Sequence, residues 1–201
     1  MATYKFKLPV SETEIRKLKV NDILYLSGTV VTARDQAHKR ALDWAKEGKL
    51  LPVNLEGLAV FHCGPVMNKQ GEKWVAVAAG PTTSTRMDLF EDKFIEAFKP
   101  RIIVGKGGMG KRTADAMAKF GAVYCAFTGG AAVLAAKSIK RVAGVEWLDL
   151  GMPEAMWILE VELFGPLVVA IDSNGNNLFA DVAQKVEANK QEIYRKLCLQ
   201  P

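Results

Sequence analysis

Cysteine is scarce in this chain: three in 201 residues, at Cys63, Cys125 and Cys198, with no C-x-x-C pair. That spacing argues against a disulfide framework and against a self-contained zinc site. Cys63 and Cys125 lie in apolar strand-like runs, where a thiol packs as a small hydrophobe. Long apolar runs are missing too; none approaches the roughly 20 residues of a membrane helix. The first residues, MATYKFKLPVSETEIRKL, lack the apolar centre of a secretory signal and are too acidic for a transit peptide, so a cytoplasmic protein is expected. There is no low-complexity tract, linker or internal repeat. Dense basic clusters are also lacking. The net charge is +5, and Lys137 to Arg141 holds three charges without interleaved aromatics. That pattern reads as a solvated helix face rather than a nucleic-acid surface. A mild positive excess suits a site for small anions or an acidic partner subunit.

What is present is an alternation of strand and helix patterns over one expected domain, residues 1–201. Ser11 to Leu18 reads as a short helix with Ser11 as N-cap and Glu14 completing a capping box. DILYLSGTVV is a strand, RDQAHKRALDWAKEG a helix closed by Gly48, and LAVFHCG a strand. A hairpin through NKQGEK leads into WVAVAAG, which runs through PTTST into a helix expected over Arg86 to Phe98, ending before Pro100. RIIVG enters a glycine loop and a helix near Lys111 to Phe120; AVYCAF runs through TGG into a helix expected over Ala131 to Lys140. EWLDLG, WILEVEL and LVVAID read as three strands, with turns at Gly165-Pro166 and SNGNN, before a helix over Asp181 to Leu197. The fold class is α/β. Successive strand–loop–helix units imply parallel strands, which bring their loops to one sheet edge.

One of those loops, RIIVGKGGMGKRTADAM, fits two nucleotide patterns. Gly105, Gly107 and Gly110 spell G-x-G-x-x-G, and Gly105 to Lys111 spell G-x-x-x-x-G-K. A P-loop requires Ser or Thr directly after the lysine to hold Mg²⁺. Arg112 stands there, and Thr113, one residue later, is rotated by about 100°. A Walker-B acid has only Asp172 as a candidate. A dinucleotide site requires an acid at the end of the next strand, and YCAFTGG has none. Both readings fail at their second requirement, although a nucleotide-binding protein stands as the alternative from a different class.

The sheet edge also gathers TARD, GPTTST and FTGG. Arg34 and His38 are four apart on one helical face, with Asp35 beside them. Thr82 to Thr85 crowd a helix start, and Arg86 lies in its first turn, where an arginine opposes the helix dipole and invites an anion. Lys106 lies within the glycine loop. Each residue also has a plainer reading: Thr85 with Asp88 resembles a helix-capping pair, Arg34 suits a pair with Asp35 or another acid, and His38 and His62 suit structural roles. Together, two arginines, a lysine, hydroxyls and helix N-termini suit a small dicarboxylate, since guanidinium groups grip carboxylates in bidentate fashion.

The segments GTVVTARDQAHKR, FHCGPV, GPTTSTRMD, VGKGGMG, LGMPEAMW and FGPLVVAIDSNGNNL together resemble the class I fumarases and L-tartrate dehydratases, iron–sulfur hydro-lyases. More closely, the chain is similar to their β subunit, equivalent to the C-terminal domain of the single-chain enzymes. The resemblance runs from about Leu18 to Leu178 with the motifs in order. It implies a swivelling β/β/α domain with a mixed sheet. It also implies a C4 2-hydroxydicarboxylate substrate (or the matching alkene), with malate and fumarate the first pair and L-tartrate the alternative. By the same resemblance Arg34, Arg86 and Lys106 bind substrate carboxylates and Thr82 is the catalytic base, an assignment that demands activation of a poor base. Asp35, His38, Thr83 and Gly107 are placed around them. A 4Fe–4S cluster acting as Lewis acid is implied on a cluster-bearing α subunit, in an α2β2 assembly, with no metal ligands on this chain and no activity without that partner.

Overall fold

TYKFK alternates polar and aromatic side chains, and this period of two makes β1 (Thr3–Lys7), an element the apolar patterns did not announce. It pairs in parallel with β2 (Ile23–Thr32). The computed structural model of the chain describes residues 1–197, so Cys198 lies outside them. Between these strands Ser11 caps α1 (Glu12–Ile15) with the expected capping box: its hydroxyl accepts the Glu14 N–H, and the Glu14 carboxylate accepts the Ser11 N–H, both at 3.3 Å.

Next come α2 (Asp35–Lys46), β3 (Ala59–Phe61) and the hairpin of β4 (Val66–Gln70) and β5 (Lys73–Ala78). A 3₁₀ turn, Ser84–Leu89, precedes α3 (Glu91–Phe98), β6 (Ile102–Gly105) and α4 (Lys111–Phe120). The chain continues through β7 (Val123–Ala126), α5 (Ala132–Ser138), β8 (Ile139–Glu146), β9 (Met156–Ile171) and α6 (Leu178–Lys196). The seven-stranded sheet has the order β1-β2-β3-β6-β7-β9-β8. β1, β2, β3, β6 and β7 run parallel, while β9 is antiparallel to β7, β8 and β2. Because β9 pairs with both β7 and β2, strands β2, β3, β6, β7 and β9 close into a ring. The mixed α/β architecture is the expected one.

Several boundaries differ from the sequence reading, each for a physical reason. WILEVEL and LVVAID are one strand, not two. Gly165 is there for close approach, since a Cβ at this position would stand 2.5 Å from the Leu24 carbonyl oxygen on β2. EWLDLG is not a strand: Trp147 takes a left-handed φ of +57° to bury its indole against Trp44, and Leu148–Leu150 form a 3₁₀ turn. The helix expected over Ala131 to Lys140 stops at Ser138, and β8 begins at Ile139 to pair with β9. The helix expected over Arg86 to Phe98 is broken at Phe90 into the 3₁₀ turn and α3. WVAVAAG belongs to the separate β4–β5 hairpin, so GPTTST does not follow a strand of the main sheet.

The core fills the ring and its helical flanks with Trp157, Tyr124, Phe61, Phe94 and a set of Leu, Ile and Val. Burying each large apolar side chain is worth about 1.5–3 kcal/mol. α6 is different: its first turn is held by the Asn177 cap and by Phe179 against Gly108, while Val182, Val186 and Ile193 are exposed.

Candidate active site

The glycine loop, GPTTST and FTGG are stitched together at the ends of β3, β6 and β7. The Thr82 N–H donates to the His62 carbonyl (2.7 Å), the Lys106 N–H to the Thr82 carbonyl (3.1 Å), and the Ser84 N–H to the Lys106 carbonyl (2.9 Å). Thr83 and Lys106 are bridge partners, and the Phe127 N–H reaches the Gly105 carbonyl at 2.8 Å. TARD joins them through Arg86, whose Nε and Nη2 donate to the two Asp35 carboxylate oxygens at 3.2 and 2.8 Å. The four loops gathered by the sequence reading therefore meet on one edge, although GPTTST arrives by a route other than a parallel unit.

Each expected site residue has a definite setting. Arg34 is the N-cap residue of α2, its side chain 19% exposed, and its Nε stands 3.2 Å from a Glu154 carboxylate oxygen. Its Nη1 lies over Gly64, where a Cβ would come within 2.5 Å of it. The suggested partner for Arg34, Asp35, pairs instead with Arg86, whose side chain is half exposed. Lys106 is exposed, lies across Gly129, and makes no ion pair among the described residues. The Thr82 backbone is fixed on both sides, while its hydroxyl has no hydrogen-bond partner among the described residues. Gly107 adopts φ +78°, a left-handed conformation that glycine takes without steric cost. Thr85 is not paired with Asp88; its hydroxyl donates to the Gly108 carbonyl at 2.9 Å.

Asp88 has another task. Its carboxylate accepts the Gly110 N–H with both oxygens (3.0 and 2.9 Å) and the Thr113 hydroxyl (2.8 Å), so the N-terminus of α4 already holds an anion. Lys111 pairs with Asp115 and Arg112 with Asp92. The Gly110 N–H, Lys111 and Arg112 are thus engaged by the protein's own carboxylates, which weighs against a phosphate at this helix start.

Beneath the loops lies a buried polar cluster that the sequence reading did not assemble. Glu91 Oε2 is 3.0 Å from His62 Nε2 and 3.4 Å from His38 Nε2, and all three side chains are fully buried. Neither contact meets hydrogen-bond geometry, so both Nε2 atoms and the Glu91 oxygens are buried without a hydrogen-bond partner among the described residues. His38 Nδ1 is 2.8 Å from the Arg34 carbonyl, and His62 Nδ1 is 2.9 Å from the Ser84 hydroxyl. Ser84 in turn lies 3.0 Å from the Tyr124 hydroxyl, which donates to the Gly107 carbonyl at 2.8 Å. Burial pushes the Glu91 carboxyl up, but the two imidazoles outweigh it and hold it at about 2. Burial lowers the His38 imidazole, and the Glu91 charge, with the Arg34 carbonyl, raises it above its ordinary value. Glu91 was hidden by the expectation of one helix over Arg86 to Phe98; the break at Phe90 turns it inward as the first residue of α3. Glu154, likewise unremarked within LGMPEAMW, is the acid that holds Arg34.

Cys63 and Cys125 are buried; burial drives the Cys63 thiol up to about 12 against a smaller opposing pull from Arg34, and burial raises Cys125 as well. Leu89 at the end of the 3₁₀ turn and Val133 and Leu134 on α5 are exposed by 72%, 60% and 53%. No helix among the described residues is long and apolar enough to cross a membrane.

The family described as Fumarase C-terminus matches residues 3–182. The L(+)-tartrate dehydratase subunit beta of Escherichia coli (strain K12) is 42% identical over 190 residues, covering 94% of this chain and 93% of that protein. A putative L(+)-tartrate dehydratase subunit beta of Methanocaldococcus jannaschii is 46% identical over 185 residues, 92% of this chain and 95% of the relative. A putative class I fumarate hydratase of Geobacillus stearothermophilus is 43% identical over 191 residues, 92% of this chain but 36% of that longer protein.

Proposed function

The chain belongs to the fumarase C-terminal family, and from that premise we propose that it is the β subunit of a hydro-lyase that hydrates and dehydrates a C4 dicarboxylate. The observation that carries the reading is the gathering of Arg34, Arg86, Lys106 and Thr82 on one sheet edge. The names of the relatives matched over nearly their whole lengths support a β-subunit role.

In this reading the substrate carboxylates are held by the three cations. Asp35 engages Arg86 through Nε and Nη2, which leaves Nη1 for a substrate carboxylate. Glu154 stands 3.2 Å from the Arg34 Nε without a hydrogen bond to it, so the guanidinium N–H groups are open to a substrate carboxylate. Lys106 has no internal counter-charge among the described residues and supplies the third. Cationic groups at these positions also stabilise the enolate-like charge that develops as the C3 proton leaves. Thr82 is assigned the proton transfer at C3. Its hydroxyl has no partner among the described residues, and a free hydroxyl is a very weak base, so its activation belongs to the assembled site.

The 4Fe–4S cluster is assigned to a partner α subunit. This chain's three cysteines form no C-x-x-C pair, and Cys63 and Cys125 are fully buried, so the steps assigned to the chain are binding, orientation and proton transfer. Exposed Val133 and Leu134 on α5, next to the FTGG loop, give that partner apolar side chains to cover. Malate and fumarate are the first pair, which the name of the fumarate hydratase relative supports, and L-tartrate is the alternative, which the names of the two subunit-beta relatives support. The test is co-expression with a cluster-bearing α subunit under anaerobic conditions, with malate, fumarate and both tartrates assayed. Turnover of a C4 acid by the complex and not by either chain alone is expected. Absence of turnover on all four by a cluster-loaded complex would refute the reading.

A further inference from the structure

Three loops carry the proposed substrate contacts, and one buried carboxylate touches the supports of all three. Through His38, Glu91 reaches the carbonyl of Arg34; through His62, Ser84 and Tyr124 it reaches the carbonyl of Gly107, next to Lys106. His62 is also the residue whose own carbonyl holds the Thr82 N–H at 2.7 Å. The proton positions follow from the partners. A carbonyl only accepts, so His38 Nδ1 carries a hydrogen, and its Nε2 then faces a carboxylate. Two acceptors would oppose each other there unless Nε2 is also protonated, so the neutral tautomer is disfavoured and an imidazolium–carboxylate pair fits. Off solvent, such a pair is strongly orienting, because losing either member leaves an uncompensated buried charge.

The glycine loop fits the same cluster. A Cβ on Gly105 would overlap the Ser84 hydroxyl oxygen and stand 3.2 Å from His62 Nδ1. The first glycine of G-x-G-x-x-G thus makes room for a buried hydrogen bond, with no ligand required to explain it.

We propose that Glu91 is a positioning residue: through His38 and His62 it sets, from beneath the sheet edge, the backbone that presents Arg34, Thr82 and Lys106. The inference rests on the hydro-lyase reading for its kinetic consequence and on the contacts above for its structural one.

The experiment compares wild type, Glu91→Gln and Tyr124→Phe in the β chain, each assembled with the cluster-bearing α subunit. Glu91→Gln keeps the shape and removes the charge. Tyr124→Phe keeps the ring and removes the hydroxyl that joins Ser84 to the Gly107 carbonyl, which provides a folded variant if Glu91→Gln does not assemble. Displaced contacts are expected to lower kcat/KM by about ten- to a hundredfold for Glu91→Gln and less for Tyr124→Phe, mostly through KM. In the isolated full-length β chain, Glu91→Gln is expected to shift the backbone amide resonances of Thr82, Lys106 and Gly107. Assembled variants with unchanged KM and kcat would overturn the proposal. So would unmoved amides in the isolated chain, a readout that holds even if the wild-type complex turns over no C4 acid and the hydro-lyase reading falls. A stoichiometric metal in the purified β chain, lost in Glu91→Gln, would overturn it too, by making the cluster a metal site.

Discussion

Asp88 closes the N-terminus of α4 by taking the Gly110 N–H with both carboxylate oxygens, at 3.0 and 2.9 Å. A helix N-terminus that already carries a carboxylate gives little to a phosphate. Asp88→Ala removes this cap and the Thr113 contact, and is expected to lower stability by about 1–2 kcal/mol, measured as a urea midpoint. ATP with Mg²⁺ is expected to leave the melting temperature of the wild-type chain unchanged. A saturable rise would restore the nucleotide reading.

Arg86 is half exposed and paired with Asp35, so its ion pair contributes about 1 kcal/mol or less to folding. Its value lies in substrate capture. Arg86→Ala is expected to raise KM in the assembled enzyme while the denaturation midpoint scarcely moves. A large stability loss with unchanged KM would make it a structural residue.

The buried Glu91–His38 pair gives stability a definite pH dependence. The Glu91 carboxyl is held below its ordinary 4.5, so its contribution is complete above that value and is lost as pH falls toward about 2. The His38 imidazole is raised above its ordinary 6.5, so its contribution is complete below that value and is lost as pH rises through the folded-state pKa. Both are in force between 4.5 and 6.5. The stability difference between wild type and Glu91→Gln is therefore expected to be largest in that window and to shrink on the alkaline side. A difference that stays flat from about pH 5 to about pH 9 would count against the pair.

Gly105→Ala places a methyl group where the Ser84 hydroxyl sits. The cost of such overpacking is about 1–3 kcal/mol. Chemical denaturation should show it, together with weaker substrate binding in the complex if Ser84 is pushed from His62. A neutral substitution would mean the Ser84–His62 contact is dispensable.

Local signals served the sequence reading well where they act locally. The Ser11 capping box and the helix over Lys111 to Phe120 were legible because caps and helical periodicity sit within one segment. The convergence of Arg34 and Lys106 was legible because parallel units force their loops to one edge, whereas Arg86 arrives there from the separate β4–β5 hairpin. What escaped depends on contacts distant in sequence. The closure of the ring rests on β9 reaching both β2 and β7, and Gly165 read as a turn because its reason, the nearness of Leu24, lies on another strand. Glu91 escaped because an acid at a helix start is ordinary on a surface; only the fold places it between two buried histidines.

The hydro-lyase assignment is tested most directly by anaerobic reconstitution of the β chain with a cluster-bearing α subunit, followed by an assay of fumarate formation from malate and of oxaloacetate formation from L-tartrate. The expected result is turnover of at least one of these acids by the complex alone, reduced by Arg34→Ala and by Lys106→Ala. A cluster-loaded, assembled complex that turns over neither acid, or one in which both substitutions leave kcat/KM untouched, would contradict it.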